Sequence, residues 1–304
     1  MSNPTEKNFE KYIENALHSG GYLRLAAGDY DKQLCLIPDE VITFIQDSQP
    51  EAWRRIMPRH SDSTRARILK NISDEVEKRG VIDVLRNGVK EGDQTLRLIY
   101  FEPNSGLNLD HEKLFAKNRF GLTGQLHYSG ANSNSLDMVI FINGLPVVTM
   151  ELKNTLSGQT HKDAQKQYKT SRDPREPLFK FGRCVVHFCV DEDLIFMTTR
   201  LQGAATFFLP FNKGVENPVN LSGYKTAYFW EEVLERRSLC DILENFVHYS
   251  KATTIKWDGL KGKAKETKKE LLVFPRYHQL EVIRRRKEAV RVEGVGHNYL
   301  IQHT

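Results

Sequence analysis

Leu136-Asp137-Met138-Val139-Ile140-Phe141-Ile142-Asn143-Gly144-Leu145-Pro146-Val147-Val148-Thr149-Met150-Glu151-Leu152-Lys153 reads as two apolar strands around a tight turn. Asn143-Gly144 tolerates the positive φ that short hairpins need. Both arms are near-continuous apolar runs, the mark of strands covered on both faces. Into them the sequence places one aspartate, one glutamate and one lysine. Charges buried in a sheet are costly unless they pair or bind a metal. Mg²⁺ is a hard cation held by one or two carboxylates with waters and phosphate, and it activates water and stabilises charge on a phosphate under attack. Lys153 lies two residues past Glu151 and so shares its strand face. Its ammonium could there position the attacking water or neutralise developing charge. The layout is that of a Mg²⁺-dependent nuclease site, set against the plainer alternative of a surface hairpin with solvated charges.

Register gives a test. With a two-residue loop at Asn143-Gly144, Ile142 pairs with Leu145, Asp137 pairs with Met150, and Glu151 faces away from Asp137. A shared metal therefore requires a three- or five-residue loop, or a bulge in one strand. Pro146 at the start of a strand is compatible with that.

The run Leu136–Asn154 resembles the nuclease domain of type I restriction endonuclease R subunits, a family with the PD-(D/E)xK core. The proline usual before the aspartate is replaced by Leu136, which is not a ligand position. The resemblance implies that Asp137 and Glu151 hold Mg²⁺ and that Lys153 completes the catalytic set. Family members also carry Gln-x-x-x-Tyr on the following helix. Here Asp163-Ala164-Gln165-Lys166-Gln167-Tyr168 stands in that place, one residue short between Gln165 and Tyr168. Positions i and i+3 still share a helix face, so a role in holding DNA or the catalytic residues is expected of this pair. The family's first helix often offers a glutamate towards the metal, and Glu10 is the candidate. It flanks an apolar stripe of Phe9, Ile13 and Leu17.

The C-terminal end is the second informative stretch. A basic run, Lys261 to Lys269, is followed by Phe274-Pro275-Arg276-Tyr277-His278-Gln279 and a long helical pattern. This resembles the entrance to a RecA-like helicase motor domain, whose glutamine, here Gln279, reads the adenine of ATP. No G-x-x-x-x-G-K-[ST] occurs, so a complete ATP site is not present. The sequence reads as a fragment of a longer protein, with the Gly-rich loop expected after a strand ending near Ile301. The resulting organisation is an endonuclease domain over 1–260, a basic linker over 261–273, expected to be flexible, and the truncated start of a motor domain over 274–304. Residues 251–304 carry 13 Lys+Arg against 6 Asp+Glu, leaving 31 and 33 for the remainder. The basic excess thus sits at the C-terminal end, where Arg284–Lys287 could meet DNA phosphate.

The resemblance implies double-stranded DNA as substrate, methyltransferase (M) and specificity (S) subunits as partners, and ATP-driven translocation in the full-length subunit. It also implies a prokaryotic, cytoplasmic setting. The rival readings are a repair-type nuclease on the same core and a non-catalytic DNA-binding or assembly module. The four cysteines show no C-x-x-C spacing, which argues against zinc and disulfides and suits a reducing compartment. His187 is expected to be a satisfied core or surface histidine rather than a ligand, and Trp53, Trp230 and Trp257 packing residues. The fold class expected is α/β, a mixed sheet flanked by helices. Helices are placed near 6–18, 39–47, 50–57, 62–77, 81–86 and 239–250, with a short strand or hairpin at 22–36 and strands at 95–101, the central hairpin, 184–190 and 194–199.

Overall fold

Helix α1 (Pro4–Ser19) sets the inner face of the chain's first layer through Phe9, Ile13 and Leu17, all buried. The computed structural model describes residues 4–57, 61–103, 108–258, 263–294 and 296–301. After β1 (Leu23–Arg24) come α2 (Pro38–Ser48), α3 (Pro50–Ile56), α4 (Ser61–Arg79) and α5 (Val81–Asn87). Pro38 and Pro50 open their helices, where a missing N–H costs nothing. A ribbon of β2 (Val89–Glu91) and β3 (Gln94–Leu96) and helix α6 (Leu109–Phe115) lead to β4 (Phe120–Leu126), β5 (Leu136–Ile142) and β6 (Leu145–Leu152). There follow α7 (His161–Thr170), β7 (Val186–Val190), β8 (Ile195–Thr198), β9 (Leu209–Pro210), α8 (Arg236–Asp241), β10 (His248–Asp258), β11 (Lys263–Val273) and α9 (Tyr277–Glu293).

The principal sheet is mixed, in the order β1-β4-β5-β6-β7-β8-β9. β1 is parallel to β4 and β6 to β7, and the remaining pairs are antiparallel. Side-chain alternation splits the core into two apolar clusters, one on each face. Met138, Ile140, Ile142, Val148, Met150 and Phe188 belong to the larger, which α1, α2 and α4 cover. Val139, Phe141 and Cys189 belong to the smaller, under α7. With both faces covered, every residue of β5 and β6 is buried, which excludes the surface-hairpin alternative. All four cysteines are free thiols, and all are buried.

The central hairpin has a two-residue turn and a bulge. Asn143 and Gly144 take φ of 51° and 81°, and Ile142 pairs with Leu145 and Phe141 with Pro146. The register then slips, so that Ile140 pairs with Val148 and Met138 with Met150, leaving Val147 as the extra residue. Continued one step, this register sets Asp137 opposite Glu151, on the face under α7. The turn is itself buried: Asn143 Nδ2 donates to the Leu98 carbonyl and Asn118 Oδ1, its Oδ1 accepts from Arg119 N, and the Gly144 carbonyl accepts from Ile37 N.

Several elements differ from the sequence expectations. β4 is a strand that the sequence reading did not place. The strand expected over 95–101 is only Gln94–Leu96. The helix expected over 239–250 gives way to β10 at His248. The basic stretch read as a flexible linker runs from Lys263 as β11, paired antiparallel with β10 along its length, while residues 261–262 lie outside the described set. Residues 297–301 form no strand, and 302–304 are outside the described residues. Phe274, Tyr277 and Leu280 pack into the main apolar cluster, with ring centroids 5.7 Å apart for Phe188–Phe274 and 5.8 Å for Phe211–Tyr277. The C-terminal segment is thus seated on the body of the sheet.

A Cβ at Gly144 would lie 2.6 Å from the Ile37 carbonyl oxygen and 2.6 Å from Val41 Cγ2, whereas one at Gly92 (φ 62°) meets nothing within 4 Å. Gly144→Ala should therefore destabilise by about 3 kcal/mol or more, against about 1 kcal/mol for Gly92→Ala. Denaturant midpoints of the two variants check this; equal losses would remove the packing argument.

Candidate active site

β5 delivers Asp137 to a cleft of about 570 Å³ that Lys153 also lines and α7 walls, while Glu151 on β6 is wholly buried and is not among the lining residues. Asp137 is 9% exposed, Glu151 0% and Lys153 4%. The Asp137 carboxylate is anchored across the hairpin: Oδ2 accepts from the backbone N–H of Leu152 at 2.8 Å. Lys153 lies just past β6, yet its N–H still bonds the Val190 carbonyl at 2.9 Å. The sheet therefore continues to hold it on the cleft side, where Nζ stands 3.7 Å from Asp137 Oδ2. The structure brings these three sequence-nominated residues together.

Glu151 is the most constrained of them. Arg172, just beyond α7, places Nε and Nη2 each 2.7 Å from Glu151 Oε1, and Nη2 also donates to the Ser135 carbonyl at 2.7 Å. Glu151 Oε2 is buried with no hydrogen-bond partner among the described residues. Burial, then the neighbouring Asp137 carboxylate, push the Glu151 pKa well up, and Arg172 and Lys153 pull against that. A buried acceptor left open in this way is costly. The donor set is all carboxylate oxygen, suited to a hard divalent ion that keeps waters. Among the described residues no three His, Cys, Asp or Glu side chains converge at metal-holding distance.

Glu10 approaches the same site from α1. Gln125 Nε2 donates to both Glu10 oxygens, at 3.2 and 3.1 Å, and to Asp137 Oδ1 at 3.4 Å. Gln125 falls opposite Asp137 at a break in the β4–β5 register, with φ of 49°. A non-glycine residue in that region costs of order 1 kcal/mol, and here it aims the amide at Glu10 and Asp137. Ser135 Oγ donates back to Gln125 Oε1 at 3.0 Å.

The helix residues divide differently from the sequence reading. Ala164 and Tyr168 are buried against the sheet. Tyr168 does not reach the cleft: its hydroxyl pairs with Thr149 Oγ1 at 2.7 Å, which in turn pairs with His187 Nδ1 at 2.7 Å. Burial holds His187 down to about 3, so it is neutral, a satisfied core histidine. Gln165 is not among the cleft residues. Asp163, Lys166, Gln167 and Thr170, at helical spacing, are. Gln167, Gln125 and Arg172 escaped the sequence reading. The helical phase set by Ala164 and Tyr168 could have found Gln167; no periodicity marks Arg172, because it lies past a helix end. Gln279 sits in the first turn of α9, where its Oε1 accepts from the Arg276 N–H at 3.0 Å. Trp53 and Trp230 pack with the main core, while Trp257 is 70% exposed.

With this geometry in view, comparison with known proteins is decisive at the level of family. Residues 3–206 match the family described as the type I restriction enzyme R protein N terminus. The chain belongs to this family. Relatives of this R-protein chain include two from Methanocaldococcus jannaschii. One, a putative type I restriction enzyme MjaIXP endonuclease subunit, is 27% identical over 150 residues, 45% of this chain and 14% of the relative. The other, a putative MjaVIIIP endonuclease subunit, is 21% identical over 248 residues, 76% of this chain and 20% of the relative. The chain thus spans a fifth or less of the length of these curated relatives. No described helix is long and apolar enough to cross a membrane.

The Tyr168 placement yields a stability prediction. Tyr168→Phe should cost about 1–3 kcal/mol by breaking a buried hydrogen bond, read as a lowered urea midpoint. An unchanged midpoint would mean that the Thr149–Tyr168 contact contributes nothing.

Proposed function

We propose that this R-protein N-terminal region is a Mg²⁺-dependent endonuclease that hydrolyses phosphodiester bonds of double-stranded DNA, on a PD-(D/E)xK core. The observation that carries the reading is the bulge at Val147, which sets the buried Glu151 on the same sheet face as Asp137, with Asp137 and Lys153 together at the cleft. Asp137 and Glu151 would hold the ion, and the open Glu151 Oε2 fits that role. When bound, Mg²⁺ would lower the pKa of a coordinated water and offset charge on the phosphate. The Lys153 ammonium, beside Asp137, orients the attacking water and stabilises the charge that develops on the phosphate. Lys166, on the cleft wall, supplies a cation for a flanking phosphate.

The wider assignment rests on the family and on the motif at 274–279. In it, residues 274–304 begin a RecA-like motor domain with Gln279 at the adenine. The intact subunit binds ATP, translocates DNA and works with methyltransferase and specificity subunits in the prokaryotic cytoplasm. Residues 261–273 then join the two units.

In the full complex, Asp137→Ala, Glu151→Ala and Lys153→Ala should each lower cleavage by at least about a hundredfold while DNA-stimulated ATPase persists. Cleavage surviving in all three would end the assignment. Mg²⁺ at a hundred times its dissociation constant should stabilise the wild-type chain by about 2.7 kcal/mol, an increment that calorimetry should find missing in Asp137→Ala.

A further inference from the structure

The carboxylate of Glu151 is gripped on one oxygen only. A buried arginine–carboxylate pair built for adhesion alone favours the parallel two-oxygen fork. Here both guanidinium nitrogens converge on Oε1, each at 2.7 Å, and Oε2 is left open in a fully buried position. The same guanidinium has a second attachment. Its Nη2 donates at 2.7 Å to the carbonyl of Ser135, two residues before Asp137 on the chain entering β5. One planar group therefore ties the side chain of the second acidic strand to the backbone of the first. The side chain is 5% exposed and lies beside the Tyr128 ring, 5.7 Å from its centroid, so neither attachment is loosened by solvent.

We propose that Arg172 is a positioning residue for the acidic pair, holding Glu151 by Oε1 so that Oε2 is left to accept a cation, and setting the spacing of Asp137 and Glu151 through Ser135. The proposal rests on the metal-dependent reading above. Lysine cannot replace this role, because its ammonium lacks the flat two-nitrogen edge. Arg172 touches neither the water nor the phosphate. Its loss should act on metal affinity, where loss of Lys153 acts on turnover.

Mn²⁺ serves as the probe. Titration calorimetry on the whole chain should give Arg172→Lys at least a tenfold weaker Mn²⁺ dissociation constant than wild type, under conditions where circular dichroism shows both folded. In the full complex, its cleavage should recover at saturating Mn²⁺, while that of Lys153→Ala should not. A Mn²⁺-soaked wild-type crystal gives a second readout that needs no variant: the ion on Glu151 Oε2, with Arg172 still on Oε1. Wild-type affinity in Arg172→Lys, or an ion that displaces Arg172 from Oε1, overturns this proposal and leaves the nuclease reading standing. Failure of the wild type to bind Mn²⁺ overturns both. Should Arg172→Lys not fold, the crystal alone decides.

Discussion

A single extra residue, Val147, governs the geometry of the cleft. In a pleated strand, neighbouring side chains point to opposite faces, so a slip of one residue turns a whole arm over. The two-residue turn at Asn143-Gly144 would by itself send Asp137 and Glu151 to different sides of the sheet. The bulge restores them to one side, and Pro146, which has no N–H to give to a ladder, sits beside it. Because the turn is locked by Ile37, Leu98, Asn118 and Arg119, the offset is fixed at the end of the hairpin away from the chemistry. From Val147 it is then carried about 14 Å along the strand to Glu151, at roughly 3.4 Å per residue.

The second determinant is electrostatic. Bringing two carboxylates, a lysine and an arginine into a covered sheet carries an effective penalty of several kcal/mol per ion, which only close pairing offsets. The pairing found is incomplete in one direction: Lys153 and Arg172 stand by Asp137 Oδ2 and Glu151 Oε1, while Glu151 Oε2 has no hydrogen-bond partner among the described residues. The apolar scaffold on both faces maintains this imbalance, since Met138, Ile140, Met150 and Phe188 on one side and Val139, Phe141 and Cys189 on the other leave the strands no room to relax. Sites that break the rule of satisfied buried polar groups are where function is expected to sit.

Much of this was legible from residue order alone. The apolar arms announce a hairpin buried on both faces, and the requirement that Asp137 and Glu151 share a side demands a bulge or an odd loop. The stripe of Phe9, Ile13 and Leu17 likewise fixed the first helix. β4 was not legible, because Phe120-Gly-Leu-Thr-Gly-Gln-Leu126 carries two glycines and no regular alternation, and its pairing is supplied by β1 and β5 rather than by propensity. The lysine-rich run at 263–269 misled for the opposite reason: composition suggested a flexible chain, while backbone pairing with β10 makes it a strand. Arg172 and Gln125 were invisible because their significance is tertiary. One lies beyond a helix end and the other in an unrecognised strand, and only folding brings them to the acidic pair.

The burial of every thiol has a practical consequence. Cys35, Cys184, Cys189 and Cys240 are each 2% exposed or less, and burial raises the pKa of each, leaving little thiolate to react. The native chain should therefore be nearly silent to maleimides. A cysteine introduced on the surface could then carry a fluorophore as the sole labelled position, with no need to remove the four natural ones.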